Sequence, residues 1–149
     1  MRRLLLLFAV LPLLTSCSVP VMDTQAGWTS LHDRVAHGTN AEAIERIKQG
    51  DNVNARTDSG NTPLHFATSH NKLDVVAALL KAGANPNIKG NGGETALMGA
   101  VSLHHTKCIH LLLRYKADVN IRSDNGDTAL TMAQGDKTVT ALLRKAGAK

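Results

Sequence analysis

The sequence has very few aromatic residues, and this shortage limits the folds that it can form. Aromatic side chains make up 3% of the 149 residues, although apolar residues make up 43%. A core must therefore be built from Leu, Ala, Val and Ile. This composition favours stacked short helices over a β-sandwich, and the length is that of one domain.

Cysteine and concentrated positive charge are also scarce. Two cysteines, Cys17 and Cys108, permit at most one disulfide, so the chain has no disulfide framework. The formal charge is +5, and it falls to about +3 if Arg2 and Arg3 leave with a signal segment. No block of Lys and Arg and no interleaved set of aromatic residues indicates nucleic-acid binding.

The longest apolar run, from Leu4 to Leu14, is too short for a membrane span. Eleven residues in a helix reach roughly 16 Å, about half of the roughly 30 Å hydrocarbon layer. The run follows Arg2 and Arg3 and precedes the small residues Thr15 and Ser16. This order of basic, apolar and small residues is typical of a secretory signal peptide that is removed on export.

The segment Leu14-Thr15-Ser16-Cys17 resembles the lipobox of bacterial lipoprotein precursors. The resemblance implies that residues 1–16 are removed and that Cys17 becomes the first residue, lipidated with a diacylglycerol and an N-acyl chain such as palmitate. An ordinary secretory signal and an uncleaved anchor are the alternatives. Ser18 after the cysteine implies an outer-membrane anchor facing the periplasm, with the inner membrane as the alternative. Residues 17–26 comprise the lipidated Cys17 and a short tether.

Beyond residue 26 the sequence repeats with a period of 33 residues. Glycine, threonine and leucine recur at this spacing: Gly27, Gly60, Gly93 and Gly126; Thr29, Thr62, Thr95 and Thr128; Leu31, Leu64, Leu97 and Leu130. The period predicts four stacked units, residues 27–59, 60–92, 93–125 and 126–149, because one unit cannot bury its apolar face alone.

Each unit has the pattern of a turn, a short helix and a longer helix. Thr62 is placed to cap the first helix of the second unit, and Pro63 occupies its first position, where the missing N–H costs no hydrogen bond. Apolar residues at helical spacing from Leu73 to Leu80 predict the second helix. Gly83 is placed to end that helix with a left-handed residue.

The stretch "GNTPLHFATSHNKLDVVAALLKAGANPN", from Gly60 to Asn87, is similar to the ankyrin repeat. The other three units resemble it more weakly, and together the four cover residues 27–149. The resemblance implies an all-α solenoid of four helix-turn-helix units with hairpin-like loops, capped at both ends. It also implies a protein that binds other proteins.

Three departures from the repeat have structural consequences. Arg34 stands where the other units have alanine, so the first unit is predicted to have an open outer side. The "AGA" ending at residues 146–148 comes two residues early, which predicts a C-terminal cap. Lys116 stands where Gly50 and Gly83 stand, so the third unit is predicted to be a weak point if the backbone is left-handed there.

Seven histidines are the main candidates for a metal site. The resemblance implies structural hydrogen bonds for His32 and His65. His37 and His70 should stack in register, but neighbouring units lie roughly 8 to 10 Å apart, too far for one ion with bonds of about 2 Å unless both side chains lean together.

The remaining candidates do not form a catalytic set. His104 and His105 are adjacent and do not share a helical face. Cys108 lies on an apolar helical stripe and is interpreted as a small core residue, with a reactive thiol as the alternative. We therefore predict neither an enzyme nor a cofactor.

The resemblance implies that a partner protein binds the concave side, formed by the turn tips and the first helices. The positions carried over on these elements are Trp28, His37, Arg56, Asp58, Asn61, His70, Lys89, Glu94, Leu103, Arg122 and Asp124. Tyr115, near the end of a second helix, matches a further contact position of the family. Arg56, Lys89 and Arg122 form a basic row that is either solvated charge or a site for acidic groups of a partner.

A second ladder consists of His37, His70 and Leu103, with Trp28 predicted near one end and Tyr115 near the other. Trp and Tyr are frequent binding hot spots. Two interpretations of Trp28 stay open, because it could also cover the open end of the first unit.

These observations predict a monomeric, membrane-anchored, periplasmic module that binds a protein partner. A more specific hypothesis is an immunity protein that neutralises a secreted antibacterial effector. The alternatives are a stress-related accessory or scaffold partner of a periplasmic enzyme and, from a different class, a histidine-based metal binder.

Overall fold

The computed structural model describes residues 27–149, so the predicted signal peptide, Cys17 and the tether lie outside the described residues. The described part contains eight α-helices and one 3₁₀ turn at Asn91–Gly93. In chain order the helices are α1 (Ser30–Ala36), α2 (Asn40–Lys48), α3 (Pro63–Ser69), α4 (Leu73–Lys81), α5 (Ala96–Ser102), α6 (Thr106–Arg114), α7 (Ala129–Met132) and α8 (Lys137–Lys145). None of them has both the length and the hydrophobicity that a membrane crossing requires.

The helices form two layers along a single stack. The first helices α1, α3, α5 and α7 contact one another in sequence, and α2, α4 and α6 form the second layer. Each first helix also packs against the second helix of its own repeat. The all-α solenoid predicted from the period is therefore confirmed, with a core of Leu, Ala, Val and Ile.

A histidine in the first turn of each early repeat links that repeat to the next. In repeat 2, Thr62 is the N-cap of α3 and Pro63 is its first residue, as predicted. The backbone N–H of Thr62 donates to Nδ1 of His65 at 3.1 Å, so the proton lies on Nε2, which donates to the Glu94 carbonyl at 3.2 Å. His32 makes equivalent contacts in repeat 1. This confirms the structural role implied for both histidines.

An asparagine ladder joins the loops at the other end of each repeat. Asn54, Asn87 and Asn120 are 33 residues apart. Asn54 donates to the Gly83 carbonyl at 3.2 Å and accepts the backbone N–H of Asn85 at 2.8 Å. The side-chain oxygens of Asn87 and Asn120 each accept an N–H from the next loop, at 2.7 and 3.2 Å. The repeats are therefore joined by polar contacts as well as by their apolar core.

Each internal second helix has one pair of core residues for each neighbouring repeat. In α4, Val75 and Leu79 face the preceding repeat; the equivalent of Val75 in α6 is Cys108, whose thiol lies 3.4 Å from the Asn71 side chain of the preceding repeat. The other pair in α4, residues 76 and 80, faces the following repeat. In repeats 1 and 4 one of these pairs has no neighbouring repeat within residues 27–149.

The unpaired face of repeat 1 is polar. The two positions that would face a preceding repeat are Glu42 and Arg46, while the other pair in α2 is buried. Arg46 binds both carboxylate oxygens of Asp51 at 2.9 Å and donates to the Ser30 hydroxyl at 2.7 Å. Arg34 is 42% exposed and lies 3.8 Å from Glu42. Within residues 27–149 this side of repeat 1 is open, as Arg34 predicts. Arg46 makes the most side-chain hydrogen bonds on it.

The unpaired face of repeat 4 is also polar. This repeat lacks two residues between its helices, so α7 has 4 residues. The positions that would face a following repeat are Thr140 and Arg144, and they line an open cavity of about 410 Å³ together with Leu130 and Gln134. The same change from aliphatic to polar residues therefore marks both ends of the stack.

Lys116 has the left-handed backbone conformation that its position predicts, with φ at 60°, where Gly50 and Gly83 have φ of 91°. We expect Lys116→Gly to raise the free energy of unfolding by about 1 kcal/mol, because glycine has no Cβ penalty in this region. Urea unfolding monitored by circular dichroism measures the change. His110→Gly, inside α6, is the matched control and should lower stability by about 1 kcal/mol. Equal losses in both variants would contradict the argument.

Candidate partner-binding face

The first-helix layer and its turn tips form the candidate binding face, which we call the first-helix face. At its repeat 1 end, the Trp28 ring is half-buried and packs edge-on against Phe66 of repeat 2, with the ring centroids 4.9 Å apart. The His37 ring lies 6.2 Å from the Trp28 ring, and its Nδ1 lies 3.2 Å from Asp33. Trp28 therefore contacts repeat 2, and the polar residues around Arg46 cover the open end of repeat 1.

Leu103 is the most exposed apolar side chain on this face. It caps the C-terminal end of α5 and is 48% exposed, which makes it the one exposed large hydrophobic residue among residues 27–149. His70, the equivalent cap of α3, is also exposed, and within residues 27–149 its ring makes one hydrogen bond, from Nδ1 to the Phe66 carbonyl at 2.8 Å. The structure therefore places His37, His70 and Leu103 at equivalent helix ends.

The structure does not bring Tyr115 to this ladder. Tyr115 caps the C-terminal end of α6 and is half-buried against the core. Leu103 lies in the turn before α6, so the whole nine-residue helix separates the two residues. Nine residues at about 1.5 Å each place them roughly 13 Å apart along the helix axis. Tyr115 lies in the second layer, near the base of the loops.

The basic row at the tips is bonded within the protein. Arg56 donates to the carbonyls of Gly60 and Lys89, at 3.3 and 3.0 Å, and Arg122 donates to the carbonyl of its own tip at 3.0 Å. The Lys89 ammonium lies 3.9 Å from Asp124. These contacts hold the turns and connect adjacent tips, which favours a structural role for the row.

The polar residues of the tips differ in how they are bonded. Asn61 accepts the backbone N–H of Asn91 at 3.0 Å and so connects two tips. Asp124 is paired with Lys89, and Asp58 is exposed. The half-buried Glu94 carboxylate makes no hydrogen bond or ion pair within residues 27–149, although its backbone carbonyl accepts from His65.

The remaining histidines and the Cys108 thiol make structural contacts. No group of three His, Cys, Asp or Glu residues in the described range could hold a metal ion. His104 lies 3.4 Å from Asp136, whereas Nδ1 of His105 donates to the Thr68 carbonyl of the preceding repeat at 2.8 Å. Burial raises the pKa of the Cys108 thiol and so disfavours the reactive thiolate.

One feature of this face was missed by the sequence reasoning. A pocket of about 320 Å³ lies between repeats 2 and 3, with Phe66 and Ser69 on one side and Gly99 on the other. The tip residues Asn91 and Glu94 also line it. A signal was present in the sequence, because Gly99 interrupts a helix at the position where the other repeats have Asp33, Phe66 and Met132.

The comparisons with known proteins agree with this architecture. A family model of ankyrin repeats in three copies matches residues 6–90 and 83–149. The chain therefore belongs to the ankyrin-repeat family. Ankyrin repeats typically serve as scaffolds for protein interaction and not as enzymes, so this chain is of the protein-interaction class. A search of curated proteins found no match.

Proposed function

We propose that this protein is a lipid-anchored ankyrin-repeat module of the cell envelope that faces the periplasm and binds one protein partner through its first-helix face. The observation that carries the proposal is that three large apolar side chains on this face are not fully buried: Leu103 is half exposed, and Trp28 and Phe66 are half-buried. Aromatic and apolar residues of this kind commonly anchor protein interfaces.

The polar ends of the stack support a monomeric module. Both terminal faces present charged or hydroxyl side chains where internal repeats present Val and Leu, so neither end offers a dry surface to a second copy. The lipobox supports anchoring at Cys17. A tether of nine residues, 18–26, spans at most about 30 Å and would keep the binding face close to the membrane.

The test is recovery of a partner from envelope fractions with the lipidated protein. We expect one stoichiometric partner whose recovery falls by at least about tenfold in the double variant Trp28→Ala, Leu103→Ser, because loss of a hot spot commonly costs more than 1 kcal/mol of binding free energy. The matched control is Lys81→Ser, His110→Ser, which changes two exposed residues of the second layer. Circular dichroism of each variant verifies that the fold is intact.

Two outcomes would overturn parts of this proposal. Unchanged recovery with the first double variant, or an equal loss with the control, would remove the assignment to the first-helix face. Cys17→Ser should move the protein from the membrane to the soluble fraction and abolish labelling with a palmitate analogue. Unchanged protein that takes up no label, or a Cys17→Ser protein that keeps it, would remove the lipid anchor from the proposal.

We infer that the partner is a protein neutralised at the envelope, as an immunity protein would neutralise a secreted antibacterial effector. Deleting the gene should then make cells sensitive to wild-type siblings in mixed culture. Sensitivity to oxidants without killing by siblings would instead indicate an accessory role for a stress-related periplasmic enzyme. The two phenotypes are measured in the same deletion strain, and complementation with the second-layer control variant should restore both.

A further inference from the structure

We propose that the pocket at Gly99 receives an arginine side chain of the partner protein. This inference rests on the proposed function, because it specifies which chemistry the first-helix face recognises. The pocket is the place where the regular surface of the first helices is interrupted.

Packing inside the protein does not require a glycine at position 99. Gly99 lies in the middle of α5 with an ordinary helical backbone, and a Cβ added there would meet no atom within 4 Å. A glycine inside a helix is less stable than alanine, and here no close contact compensates for that loss. The missing side chain opens the pocket between Phe66 and the next repeat.

The pocket lining combines apolar and polar residues. Phe66, Ala96 and Gly99 contribute apolar surface, and the tip residues Asn91 and Glu94 contribute polar groups. This arrangement suits a long side chain with an apolar stem and a polar head. A volume of about 320 Å³ is large enough for one such side chain.

Most donors around the pocket are already used within the protein. The Ser69 hydroxyl donates to the His65 carbonyl at 2.9 Å, and Nε2 of His65 donates to the Glu94 carbonyl at 3.2 Å. The side-chain NH₂ of Asn61 lies 3.4 Å from the Ser59 hydroxyl. The Glu94 carboxylate is an acceptor that has no partner among the described residues. The pocket therefore favours an occupant that supplies several hydrogen-bond donors.

The lining contains one carboxylate side chain, Glu94, and no lysine or arginine. Nδ1 of His65 accepts the Thr62 N–H, so the neutral ring carries its one proton on Nε2, and burial lowers the pKa of this histidine. Arg56 is nearby but outside the lining, and its guanidinium is bound to the Lys89 carbonyl at 3.0 Å.

Arginine matches these features better than lysine does. Its planar guanidinium stacks on an aromatic ring, is more weakly hydrated than an ammonium and supplies five donors in one plane. We therefore place the guanidinium plane against the Phe66 ring and its N–H groups next to the Glu94 carboxylate, since both residues line the pocket. Ser69 and Asn91 add further acceptors.

The test is an NMR titration of ¹⁵N-labelled residues 18–149, which contain the complete described core, with N-acetyl-arginine amide. A fragment of this size should bind with a dissociation constant of about 1 mM, and the shifts should centre on the amides of Phe66, Glu94 and Gly99. N-acetyl-citrulline amide, which has the same length and no charge, should bind at least about tenfold more weakly. Binding by the citrulline compound with equal affinity would overturn the proposal.

Four variants make the result specific. Glu94→Gln should weaken binding by about tenfold, and Gly99→Leu should abolish it by filling the pocket. Asp58→Asn, at an exposed tip position outside the pocket, should leave it unchanged. Gly99→Ala should raise the melting temperature by a few degrees while weakening binding, which shows that lost binding is not lost folding.

The outcomes separate this inference from the proposed function. Saturable shifts that survive Gly99→Leu, or no saturable shift up to about 20 mM of the arginine compound, would overturn the inference. If the envelope partner is still recovered in that case, the proposed function stands alone. Arginine binding without any recoverable partner would instead support the pocket and count against the proposed function.

Discussion

Replacing the polar residues at both ends of the stack with their internal counterparts should turn single molecules into head-to-tail chains. At the repeat 1 end the changes are Glu42→Val and Arg46→Leu, which copy Val75 and Leu79, with Asp51→Ala to avoid leaving an unpaired carboxylate. At the other end they are Thr140→Val and Arg144→Leu. The repeat 4 face of one molecule would then match the repeat 1 face of the next.

The effect is large because the contact would resemble the joint between two internal repeats. Burying four aliphatic side chains contributes roughly 1.5 to 3 kcal/mol each relative to exposure, before the entropic cost of association. The two faces differ from each other, so the contact is heterologous and does not close on itself. We expect sedimentation velocity of residues 27–149 to show a series of species that lengthens with concentration.

Variants changed at one end only are the controls. Each presents one apolar face without its complement, so neither should form extended chains, and the unchanged protein should sediment as a single species. Chains formed by a single-end variant, or a doubly changed protein that remains one species at every concentration, would contradict the assignment of the two residue pairs to the preceding and following repeats.

Much of this fold could be predicted from the sequence because a repeat shows its periodicity directly. Residues 33 apart occupy the same place in successive units, so the cap at Thr62, the left-handed turn at Lys116 and the open side at Arg34 follow from one alignment. These features are local, or depend only on whether a neighbouring repeat exists.

The properties of the candidate site depend on contacts between repeats and were harder to predict. Arg56 and Lys89 form a regular basic row in the sequence, but the carbonyl and carboxylate that bind them come from loop geometry. Tyr115 was grouped with Leu103 by a family position, although a whole helix separates them. The pocket depends on a missing side chain at Gly99, which matters only because Phe66 stands beside it.

Replacing His65 should both weaken the fold and change how its stability depends on pH. His65 accepts the Thr62 N–H at Nδ1 and donates from Nε2 to the Glu94 carbonyl of repeat 3. His65→Gln removes at least one of these bonds at a largely buried position, so we expect a loss of about 2 kcal/mol at about pH 8. Urea unfolding at a series of pH values measures both effects.

The sign of the pH dependence follows from the neutral ring. Burial, and then the charge of Arg56, lower the pKa of His65 below its ordinary value of 6.5. As the pH falls below about 6.5, the unfolded chain takes up a proton that the folded protein does not, so His65 lowers the stability of the fold. The loss approaches about 1.4 kcal/mol per pH unit and ends below the folded pKa.

The stability gap between the unchanged protein and His65→Gln should therefore narrow as the pH falls from about 8 to about 5, because only the unchanged protein has this buried neutral ring. His110→Gln reports the contribution of an exposed histidine on α6 and should keep the slope of the unchanged protein. Parallel profiles for the unchanged protein and His65→Gln would show that folding does not lower the pKa of His65.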